Sequence, residues 1–83
     1  MKKKECNNGT FDSEMHNLLQ LFIYGIDSKE ETLESMRMAY NNEISRVTLI
    51  TRNIPLAFLP IWHDYKQEVK EKYESFRYTV ETF

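Results

Sequence analysis

The sequence predicts an all-α fold in which three helices form a long antiparallel hairpin with a shorter N-terminal helix packed across it. Apolar residues recur at steps of three and four in three separate stretches, the pattern of a helix with one buried face. Ser28-Lys29-Glu30-Glu31 carries the signature of a reciprocal helix cap ahead of the second stretch. Gly25, Pro55 and Pro60 fall between the stretches, where helices end or begin.

Residues 1 to about 11 are polar and hold Asn7-Asn8-Gly9, so they read as a flexible tail ahead of a single helical domain over 12–83. The first helix is expected over about 13–24, capped by Asp12 or Ser13. Met15, Leu18, Leu19, Phe22 and Ile26 form its stripe, and Gly25 takes the left-handed conformation that ends it.

The second helix is expected over about 29–52, with Leu33, Met36, Tyr40, Ile44, Val47 and Ile50 or Thr51 on its buried face and Asn53 as its stop. Glu30, Glu31 and Glu34 suit the positive end of its dipole. Val47-Thr48-Leu49-Ile50-Thr51 is rich in β-branched residues and would equally suit a short strand. The third helix, about 60–82, has the cleanest periodicity: Trp62, Tyr65, Val69, Tyr73, Phe76, Val80 and Phe83. Its opposite face, with Lys66, Glu68, Lys70, Glu71, Lys72 and Glu74, reads as solvated. The two long helices would each span roughly 35 Å at about 1.5 Å per residue, a length suited to an antiparallel pair.

Size limits the means of stabilisation. A chain of 83 residues buries a small core, and such folds lean on helix packing, disulfides, a metal or a second subunit. Cys6 is the single cysteine, so no intramolecular disulfide forms, and Cys6 with His16 and His63 does not make a structural zinc set. No metal or other cofactor is expected, which leaves packing and self-association.

The charge balance, 11 basic against 13 acidic residues, lacks the concentrated basic face of most nucleic-acid binders. Lys2-Lys3-Lys4 is followed by polar residues where a signal peptide would turn apolar, and the longest apolar run, Ile54 to Trp62, is broken by Pro55 and Pro60. A cytoplasmic protein with no membrane span is expected.

No catalytic grouping emerges. Gly9 and Gly25 are the only glycines and neither belongs to a phosphate loop. Cys6, on the tail, cannot be held in register as a nucleophile. His63 and Asp64 are adjacent and point in different directions from a helix, so they form no dyad, and His16 reads as an exposed flank residue. The chain is therefore not expected to be an enzyme.

The connection Ile54-Pro55-Leu56-Ala57-Phe58-Leu59-Pro60-Ile61-Trp62 is the least ordinary feature, because loops are normally polar where their backbone meets water. Either Leu56, Phe58 and Leu59 fold onto the first helix and close the core, or they stand in water as a patch for another protein. The expectation is a small regulatory or adaptor protein that binds another protein through Leu56, Phe58, Leu59 and Trp62. The third helix's aromatic seam, at Tyr65, Tyr73 and Phe76, would serve self-association into a homodimer.

A second expectation concerns nucleic acid. Residues 38–53 loosely resemble a helix-turn-helix, with Ala39 in the first helix, a turn near Asn42, and Arg46 and Arg52 on the recognition helix. The resemblance implies a DNA-binding regulator, although Glu43 stands where such motifs favour glycine and Arg52 where they favour an apolar residue. A third reading has Glu30, Glu31 and Glu34 mimic phosphates.

Overall fold

The structure, a computed structural model, describes residues 10–83; Cys6, Lys2 to Lys4 and most of the N-terminal tail lie outside the described residues. Helix α1 spans Phe11–Ile23, α2 spans Lys29–Thr51 and α3 spans Leu59–Thr82, with a 3-10 turn at Leu56–Phe58 between the last two. The three-helix all-α architecture stands as the periodicity predicts.

Each helix end has a local cause. The α1 cap is Thr10, whose hydroxyl accepts from the Ser13 amide at 3.1 Å; Asp12 and Ser13 themselves lie inside the first turn. The helix starts earlier than its polar residues suggest because Phe11 is drawn into the core, where it is 5% exposed. At the other end the Ile26 amide donates to the Leu21 carbonyl and the Gly25 amide to that of Phe22, with Gly25 at φ 79°. These two bonds make a Schellman motif, which requires a left-handed residue at that point.

The reciprocal cap of α2 forms as its sequence predicts: the Ser28 hydroxyl accepts from the Glu31 amide at 3.1 Å, and the Glu31 carboxylate accepts from the Ser28 amide at 3.0 Å. The Val47–Thr51 segment is helical. Its threonines meet the helix on its own terms, Thr48 donating its hydroxyl to the Ile44 carbonyl at 2.8 Å and Thr51 to that of Thr48 at 2.9 Å. Asn53 closes the end by donating its side-chain amide to the Leu49 carbonyl.

Side-chain pairs set the arrangement. Lys29 reaches the Glu81 carbonyl, Tyr40 stacks on Tyr73 at 4.6 Å, and Tyr65 bonds Glu43, so α2 and α3 run antiparallel in a single register. Helix α1 pairs Asp12 with Lys72, His16 with Phe76 and Phe22 with Phe83. The near-constant separation along the chain means that α1 runs parallel to α3, beside its C-terminal half. Lys72, expected on the solvated face, is half-buried because it ties α3 to Asp12 at 3.2 Å.

Phe11, Met15, Met36, Ala39, Val69 and Val80 form the core, with Leu18, Leu19, Phe22, Leu33 and Ile44 half-buried around them. On α2 the buried line runs Thr32, Met36, Ala39, Val47: Met36 and Val47 lie on the expected stripe, whereas Thr32 and Ala39 are buried in place of their neighbours Leu33 and Tyr40, which are half-buried. Small Ala39 and Thr32 are buried, and Leu33, Tyr40 and Ile44 beside them are half-buried. The molecule is flat, with principal extents of 45 × 32 × 14 Å.

Candidate functional site

Because α1 lies beside the C-terminal half of α3, the other end of the hairpin consists of two helices and the 3-10 turn with no third helix over them. The turn packs on α3 and on no other helix. The expectation that the connection folds onto the first helix to close the core is therefore not met. Pro55 is extended (φ -60°, ψ 150°), the Phe58 amide closes a tight turn onto its carbonyl at 3.0 Å, and Pro60 is accommodated in the first turn of α3, so the chain passes from α2 into α3 through this short turn.

The four residues expected to bind a partner separate into two pairs. Leu56 is 80% exposed and Phe58 52%, whereas Leu59 and Trp62 are half-buried, Trp62 meeting Tyr65 edge-to-face at 5.9 Å. Two further apolar side chains stand in water at this end, Leu49 at 58% and Ile61 at 63%. Both had a sequence signal, since Leu49 falls off the buried stripe of its helix and Ile61 is adjacent to it. From Val47 to Trp62 the single charged residue is Arg52. Depletion of charge with large apolar side chains on show is the composition of an interface core rather than of ordinary surface.

Tyr65, Tyr73 and Phe76, expected to serve self-association, all pack against the core of their own chain. Each also has an intramolecular partner: Tyr65 the Glu43 carboxylate, Tyr73 the Tyr40 ring, and Phe76 the His16 ring, edge-on at 5.0 Å.

The Glu43 cluster is the strongest polar feature. Arg46 donates to both carboxylate oxygens, at 3.1 and 2.5 Å, and Tyr65 donates to one of them. The Arg46 hydrogen bonds lower the Glu43 pKa, helped by Tyr65 and opposed by burial. Burial first, and the bond to Glu43 second, push the Tyr65 hydroxyl up to about 12. A carboxylate at this depth is tolerable because three donors satisfy it.

This cluster also removes the helix-turn-helix. Helix α2 is unbroken from Lys29 to Thr51, so the turn expected near Asn42 does not exist, and Glu43 keeps helical backbone. Arg46 is turned to Glu43, while Arg52 stands exposed at the C-cap. Of the proposed phosphate mimics, Glu31 is occupied in the cap of α2 and Glu34 pairs with Arg37 at 2.6 Å. His16 and His63 are exposed, His16 lying 3.5 Å from Asp12. Among the described residues no three His, Cys, Asp or Glu side chains gather as a metal site, and no helix is long and apolar enough to cross a membrane. Comparison with protein-family models, curated proteins and solved structures found no match.

Proposed function

We propose that this chain acts by binding rather than by catalysis, as a small regulatory or adaptor protein that holds another protein against the open end of its hairpin. The exposure of Leu56 and Phe58 at a nearly uncharged helix tip carries this reading. Keeping such side chains in water has no structural purpose inside the monomer, since neither contributes to the core. Leu56, Phe58, Ile61 and Leu49 would make the contact, and the half-buried Leu59 and Trp62 would hold the segment in place. A rigid base favours anchors of this kind, because less side-chain freedom is lost on association.

The test is a photo-reactive phenylalanine analogue at position 58, compared with the same analogue at Tyr78, which is 68% exposed on α3. A discrete cross-linked adduct at 58, absent at 78 and removed by Leu56→Asp, is the expected result. No adduct at 58, or equal adducts at both positions, would refute the reading.

A further inference from the structure

We draw no further inference here: the strongest candidate, the cleft of about 270 Å³ between the first turn of α1 and α3, lined by Phe11, Asp12, Tyr65, Glu68, Val69 and Lys72, carries nothing, because it adjoins Thr10, where the described residues begin, and nothing in the structure shows what covers it.

Discussion

The Tyr65 hydroxyl donates to the Glu43 carboxylate across the α2/α3 seam, where the Glu43 side chain is 11% exposed. Glu43 continues the buried spacing Thr32, Met36, Ala39 toward Val47, a position that an apolar residue would ordinarily hold. Tyr65→Phe leaves Glu43 with Arg46 alone, and Glu43→Gln replaces the charged acceptor shared by Tyr65 and Arg46 with a neutral one. Tyr65→Phe and Glu43→Gln should each lower stability by about 1 kcal/mol, and the double variant should lose less than the sum because both remove one shared bond. Chemical denaturation of the four proteins at neutral pH measures this.

The same pair makes two pH limbs. The folded-state pKa of Glu43 is depressed, so its contribution is present above the ordinary value of 4.5 and is lost as pH falls through the lower folded value. The folded-state pKa of Tyr65 is raised, so its contribution is complete below the ordinary value of 10.0 and is lost as pH rises toward about 12. Glu43→Gln should flatten the acid limb, and Tyr65→Phe the alkaline one. Denaturation midpoints followed across pH check both; an unchanged alkaline limb in Tyr65→Phe would contradict the assignment.

Thr32 is fully buried, and its hydroxyl has no hydrogen-bond partner among the described residues. Valine has nearly the same shape and no group to desolvate. Thr32→Val should therefore stabilise the fold by about 1 kcal/mol. A rise in the thermal midpoint is the expected readout, and a fall would mean that the hydroxyl is satisfied in solution.

Gly25 adopts φ 79°, and a Cβ added there meets nothing within 4 Å. The penalty for Gly25→Ala is therefore conformational alone, roughly 1 to 2 kcal/mol. Gly25→Asn should be milder, since asparagine tolerates the left-handed region better. Equal losses for the two variants would indicate a steric cause instead.

Much of the fold was legible because helix formation here is governed by local signals. The Ser28 cap, the Schellman turn at Gly25 and the three periodic stripes need no distant partner to be recognised. Phe11 is not legible as a core residue, because a single aromatic after polar residues carries no periodicity of its own; only Met15, one turn along, and the packing of α1 on α3 reveal its burial.

At the candidate site the sequence pointed to Leu56 and Phe58 but could not choose between core and surface. That choice depends on where α1 lies, and α1 runs beside the far half of α3, out of reach of the connection. The helix-turn-helix resemblance failed because α2 runs unbroken through the turn expected near Asn42; Arg46 pairs with Glu43 within the same helix, and Tyr65 joins them only once α3 is in place.

The sequence by itself determined three helices, the Gly25 stop of α1, the Ser28 cap of α2 and the apolar character of the connection, because spacing, capping and proline geometry act over a few residues. Only the tertiary structure decided the buried line of α2, the internal use of the aromatic seam and the exposure of the tip. These follow from which helix covers which length of its neighbour, a property of packing between segments far apart in the chain.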